Sequence, residues 1–189
     1  LGSLYFDQEN YKDAEYYFLK AIEITENQYS EDDPYIVANL NNIAAVYITQ
    51  RKYEEAESTL LKSINIIEKK YGKNSIKLES HLLNLSVIYV DQGRNVDAEK
   101  ILLRSIAIME NKYGNNDYRL LKSLETYDTF LFNRGDFDKS LEINKRCLQI
   151  SQSHFGKEHI NNIKYMRLMT SIYLNSSNNL DIAADLINN

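Results

Sequence analysis

A chain of 189 residues can hold one substantial core or a short array of repeats, and is too short for several large domains. With 43% hydrophobic and 26% charged residues it fits neither a disordered nor a membrane class, and no apolar run approaches the roughly 20 residues that a membrane helix needs. The net charge of -5, with acids alternating with bases, excludes a general grip on a nucleic-acid backbone, which takes clustered Lys and Arg. The start LGSLYFDQEN has neither a basic opening nor a signal-like apolar stretch, and Cys147 alone offers no internal disulfide, so a cytoplasmic protein is expected. One proline, Pro34, and six glycines leave few positions barred from a helix, which predicts an all-α chain.

In chain order, residues 1–30 read as a helix pair whose first member is mostly missing, since Leu1 aligns with Ile43. Residues 31–72 open with Asp32 or Asp33 as a cap before Pro34. There Ile36, Leu40, Ile43 and Tyr47 mark one helical face, and Tyr53, Ala56, Leu60, Ile64 and Ile67 mark another. Residues 73–114 and 115–156 repeat the pattern, with glycine ending helices in DQGR, NRGD, YGKN and YGNN. Residues 157–189 break off within a second helix, NLDIAADLINN, so the chain is expected to be a piece of a larger protein whose terminal faces pair into dimers.

The pairs share one register. Ala14, Ala56, Ala98 and Ser140 follow each other at steps of 42 residues. So do Tyr29, Tyr71, Tyr113 and Phe155, and Tyr5, Tyr47, Tyr89, Leu131 and Tyr173; with Tyr11 and Tyr53, such columns predict that packing explains nine of the fifteen tyrosines. The small column has a direct cause, because two helices joined by a short turn approach closely only where one side chain at the crossing is small. A lone pair cannot bury its outer face, so the pairs are expected to stack into a right-handed α-solenoid of antiparallel helix hairpins, with the first helices lining a concave side.

The set Leu40, Ile43, Ala44, Tyr47, Tyr53, Ala56 and Leu60 resembles the tetratricopeptide repeat. More narrowly, DDPYIVANLNNIAAVYITQRKYEEAESTLLKSINIIEKKYG looks like the long repeats of kinesin light chains, with their acidic-proline opening and LNNIA core. The resemblance implies a superhelix of such repeats, partial at 1–30, whole at 31–72, 73–114 and 115–156, and partial at 157–189. It implies a scaffold or adaptor, not an enzyme, that binds a peptide or helix of a partner protein in its groove. The alternative is a structural module that self-associates or packs within a larger protein.

Carried over by register, the groove positions that the resemblance implies begin at Ser3, Phe6 and Asp7. They continue at Ala38, Asn41, Asn42, Ala45, Ile48 and Thr49, then at Ser80, Leu83, Asn84, Val87, Val90 and Asp91. Further on stand Lys122, Glu125, Thr129 and Phe132, then Lys164 and Arg167. Asn42 and Asn84 are the expected anchors for a peptide backbone, because an amide both donates and accepts. Ile48, Leu83, Val87, Val90 and Phe132 are the expected apolar contacts. Asp7, Asp91 and Glu125 depart from the basic groove of kinesin light chains, and only Lys122, Lys164 and Arg167 form a basic cluster suited to a partner carboxylate.

No catalytic motif stands out: there is no phosphate loop, nucleophile elbow or metal-spaced cysteine pair. His154 and His159, five apart, point away from each other on a helix, so no metal is expected there, and no cofactor is expected anywhere. His81 reads as a surface or groove residue, and Cys147, in register with Ala21, Ser63 and Ser105, as a buried small one.

Overall fold

The computed structural model describes residues 1–29 and 33–175. The described residues form nine α-helices, short 3-10 turns and no strand. The helices are α1 (Gly2–Asp7), α2 (Tyr11–Gln28), α3 (Val37–Thr49), α4 (Tyr53–Tyr71), α5 (Glu79–Asp91), α6 (Asn95–Tyr113), α7 (Leu121–Asn133), α8 (Phe137–Phe155) and α9 (Asn161–Asn175). The 42-residue step is kept by the elements themselves: α3, α5 and α7 each have 13 residues, and α4, α6 and α8 each have 19. The chain divides into two compact units, 1–101 and 102–189, with the boundary inside α6. In the first, α1 packs on α2, α2 on α3, α3 on α4 and α4 on α5; in the second, α8 packs on both α7 and α9. The expected last helix, NLDIAADLINN, lies outside the described residues.

The small column sits at the crossings, as its chemistry requires. Ala14, Ala56, Ala98 and Ser140 are wholly buried. A second small column faces it from the first helices: Gly2, Ala44 and Ser86 are buried too. The fit is tight enough at Gly2 that an added Cβ would stand 2.7 Å from the Phe18 ring. Around these crossings Ile36, Ile43, Leu60, Ile67, Leu78, Leu82, Leu102, Leu120 and Leu124 are almost fully removed from water, each such aliphatic side chain contributing about 1.5–3 kcal/mol.

Turn chemistry recurs in step as well. Asp33, Ser75 and Asp117 each accept the backbone N–H two residues on, at 2.9, 3.4 and 2.9 Å, opening the 3-10 turns Pro34–Ile36, Ile76–Leu78 and Tyr118–Leu120. Asp33, one of the two caps expected from the sequence, caps its turn; Asp32 lies outside the described residues. Between the helices of a pair a left-handed residue is needed, and Gly93 (φ 72°) and Gly135 (φ 76°) supply it. In the same register Glu9 (φ 58°) and Arg51 (φ 60°) adopt it despite carrying side chains.

One tyrosine column packs at the surface. Tyr29 and Tyr71 are 47% and 45% exposed, so they are not core. They stack instead on the turn that follows: Tyr29 on Tyr35 (ring centroids 5.0 Å apart), Tyr71 under the Lys77 ammonium (5.0 Å) and Tyr113 under the Arg119 guanidinium (3.6 Å). Arg119 also forks onto Asp117 at 2.7 Å, which holds that carboxyl down at about 2.

Candidate binding groove

In the first unit, the exposed faces of α1, α3 and α5 carry the predicted residues. Asn41, Asn42, Ala45 and Ile48 are half-buried, and Thr49 is exposed. Two clefts open among them. One of ≈ 210 Å³ lies between Ser3, Phe6 and Asp7 of α1, Phe18 of α2, and Asn42 and Ala45 of α3. The other, of ≈ 340 Å³, runs from Val37, Ala38, Asn41 and Asn42 to Lys77, Ser80 and His81, with Pro34 and Tyr71 at its edge. Asn42 borders both clefts. Asn84 is already committed in part, because its Nδ2 donates to Asn41 Oδ1 at 3.1 Å. Val87 and Val90 are 39% and 37% exposed. Leu83 differs from expectation: it is 5% exposed, so it belongs to the interior and offers little surface to a ligand. Asp91 accepts the Tyr53 hydroxyl at 2.8 Å.

Of the two places expected for His81, surface or groove, it takes the groove: it lines the larger cleft and is 4% exposed. Its Nδ1 lies 3.1 Å from the Lys77 carbonyl. The Val37 backbone stands close enough to Nε2 to interact, but forms no well-shaped hydrogen bond with it. Burial lowers the imidazole's pKa, and the two backbone groups only partly oppose it, so the ring is neutral in the fold.

In the second unit, α7 and α9 carry the remaining positions. Lys122, Thr129 and Arg167 are exposed, Glu125 is half-buried, and Phe132 is half-buried edge-on to Phe137 at 5.6 Å. The predicted basic cluster is weakened here. Lys164 Nζ is 2.7 Å from Glu125 Oε1, and the Tyr165 hydroxyl donates to the same oxygen. Burial first, and then Glu125, push the Tyr165 hydroxyl pKa up, so it stays a donor. A partner carboxylate at Lys164 would therefore have to displace Glu125.

Sequence reasoning missed Asp128, which is 2% exposed. It occupies the second small column after Gly2, Ala44 and Ser86. Its Oδ1 accepts Ser140 Oγ at 2.5 Å and its Oδ2 accepts Asn144 Nδ2 at 2.8 Å. Burial raises its pKa, the two hydrogen bonds pull it down, and Glu125 adds to the rise. The 42-residue step was the available signal: an acid aligned with Ala44 and Ser86 has to be buried. Cys147 is buried as expected, and burial, with Asp128 and Glu125, raises its thiol pKa so that it stays protonated. His154 and His159 pack against Phe155, at 4.6 and 5.0 Å between ring centroids. Among the described residues no three His, Cys, Asp or Glu side chains gather as metal ligands would.

Known proteins place this arrangement. The tetratricopeptide repeat model matches residues 1–69 and 35–111, and a second model of the same description matches 129–161. The chain belongs to the tetratricopeptide repeat family, whose repeats are generally protein-interaction modules and typically not enzymes. No curated protein matches it significantly. Among solved structures it is similar to the nearly identical TPR-like repeats of a Podosopora anserina chain assigned to the kinesin light chains. The TM-score is 0.83 at 16% identity, over 100% of this chain and 89% of that one; a point variant of the same protein gives 0.83, 16%, 100% and 88%. It is also similar to BtubC (BKLC) from P. vanneervenii, with TM-score 0.81 and 16% identity over 98% of this chain and 76% of that one. The fold is thus the all-α tetratricopeptide fold of the kinesin-light-chain kind. No described helix is long and apolar enough to cross a membrane.

Proposed function

We propose that this chain is an interaction module that receives a peptide or helix of a partner protein on its first-helix faces: α1, α3 and α5 in the first unit, α7 and α9 in the second. The observation that carries the reading is the pair of clefts that Asn42 borders, with Val87 and Val90 exposed on α5 of the same unit. Apolar contact would supply most of the affinity, and amides orient the bound segment. Asn42 keeps its amide for a ligand, while Asn84 retains its carbonyl. In this reading the partner is a protein, with neither nucleic acid nor membrane, and the module works in the cytoplasm without metal or cofactor. Its pairs act as repeats at 31–72, 73–114 and 115–156, with partial ones at 1–30 and 157–189.

The experiment is selection of binders from a random peptide display library on the intact chain, followed by Asn42→Ala/Asn84→Ala and by Val87→Glu. Both variants should fold and lose affinity; selected peptides indifferent to both would defeat the proposal. A second reading is self-association through second helices, favoured by Leu19 and Leu61, which stand in register and are 44% and 47% exposed. Light scattering that finds a concentration-dependent dimer, abolished by Leu61→Lys, would move the function there.

A further inference from the structure

The smaller cleft of the first unit has a chemistry of its own. Its walls are the rings of Phe6 and Phe18 and the methyl of Ala45; its polar groups belong to Ser3, Asn42 and Asp7. The walls are held in place before anything binds. Phe18 is 6% exposed and lies so close to the α1 backbone that Gly2 cannot carry a Cβ, while Phe6 rests edge-on against Tyr11 at 5.6 Å. Asp7 is exposed, and its carboxylate has no ion-pair or hydrogen-bond partner among the described residues. Elsewhere in the same unit acids are engaged: Glu15 with Lys52, Glu26 with Lys62, Glu57 with Arg94 and Asp91 with Tyr53. No lysine or arginine lines the cleft.

We infer that this cleft takes a basic side chain, lysine or arginine, of the partner segment, its stem along Phe6 and Phe18 and its cationic head on the Asp7 carboxylate. The inference rests on the first-helix face being the binding face. Three properties select this occupant. A cation is attracted both to a carboxylate and to the faces of aromatic rings. The aliphatic stem of Lys or Arg covers apolar wall while its head stays near water. An acidic side chain would meet Asp7 as a like charge, and a purely apolar one would leave that carboxylate partly desolvated without compensation. The Asn42 amide oxygen and Ser3 hydroxyl add acceptors at the rim.

The test uses peptides selected from the random library on the intact chain, measured by fluorescence anisotropy against the chain, Asp7→Asn, Asp7→Lys and Val87→Glu. Selected peptides should share a Lys or Arg. Asp7→Asn should weaken binding about tenfold, and Asp7→Lys further. Replacing the shared base with Gln should cost the wild-type chain about the same, and the Asn variant almost nothing. Peptides that lose affinity with Val87→Glu yet bind Asp7→Lys as well as the wild type would overturn the inference and leave the binding face standing. Peptides indifferent to both substitutions would overturn the two together.

Discussion

The pair α3–α4 and the pair α7–α8 have the same lengths and register, but different chemistry at the crossing. In the first, Ala44, Ala56 and Leu60 form a dry, closely packed set, each wholly buried. In the second, the same three places hold Asp128, Ser140 and Asn144, joined by hydrogen bonds of 2.5 and 2.8 Å. The exchange continues further along the chain. Where the first unit buries Ile67 and Leu78, the second sets Ser151 against Asn162 in the same register, with Ser151 Oγ donating to Asn162 Oδ1 at 2.7 Å. Asn162 in turn donates to the carbonyls of Gly156 and Lys157 at 2.9 and 2.8 Å. At these two places polar residues arrive together, because a buried polar group costs less when its partner arrives with it. The geometry of the repeat tolerates both solutions, although the Asn144 Oδ1 and the Oγ of the buried Ser63 have no hydrogen-bond partner among the described residues.

That contrast predicts its own largest effect. Leu60→Asn, which places the polar residue of α8 into the dry crossing without partners, should cost about 3–5 kcal/mol from lost burial and an unpaired amide, read from urea unfolding. Converting the second pair to the first by Asp128→Ala/Ser140→Ala/Asn144→Leu should be neutral to stabilising by about 1–4 kcal/mol. Asn144→Leu alone should destabilise by about 1–3 kcal/mol, because Asp128 then keeps one hydrogen bond instead of two. If the triple variant is the less stable of the two, the network is better than the apolar set and the comparison fails.

The two units should also respond oppositely to acid. Asp128 has a raised pKa in the fold, so the folded state binds its proton more tightly. Its contribution therefore improves as pH falls through the raised folded value toward the unfolded value of about 3.9. His81 has a lowered pKa, so the unfolded state takes the proton first, and stability at that site is lost as pH falls from about 6.5 toward the lowered value. Hydrogen exchange corrected for intrinsic rates should show protection in α5 falling, and protection in α7 and α8 rising, between about pH 6.5 and 4. His81→Gln should flatten the first trend and Asp128→Asn the second.

The smallest effect concerns the turns. Arg51 occupies the left-handed place that glycine holds in later pairs, so Arg51→Gly should gain about 0.5–1 kcal/mol. Gly93→Ala should lose a similar amount from backbone strain alone, since a Cβ there meets nothing within 4 Å. Thermal unfolding of the two variants would read both signs.

The sequence made the glycine turns, the 42-residue step and the Ala14 column legible because each is dictated locally and repeats. Asp128 was missed although its column was legible, because an acid reads as a surface residue unless the step from Ala44 to Ser86 and its partners Ser140 and Asn144 are set beside it. Tyr29 and Tyr71 recur because they share a repeated packing role, stacking on the next turn, whose place the sequence did not specify. For the groove, register fixes the side of the helix on which a residue lies, but not how far a neighbour covers it. Val87 and Leu83 share a helix and a predicted face, yet one is exposed and the other interior. Lys164 was legible as a base but not as the partner of Glu125, which stands in the preceding repeat.

The central claim is that a partner segment lies on the first helices and not on the second. Val87 and Leu61 test it directly, being apolar, comparably exposed at 39% and 47%, and placed on α5 and α4. A photo-crosslinking residue at each site, irradiated with a library-selected peptide, should capture the peptide at position 87 and leave position 61 unreacted. Capture at 61 with none at 87 would contradict the account.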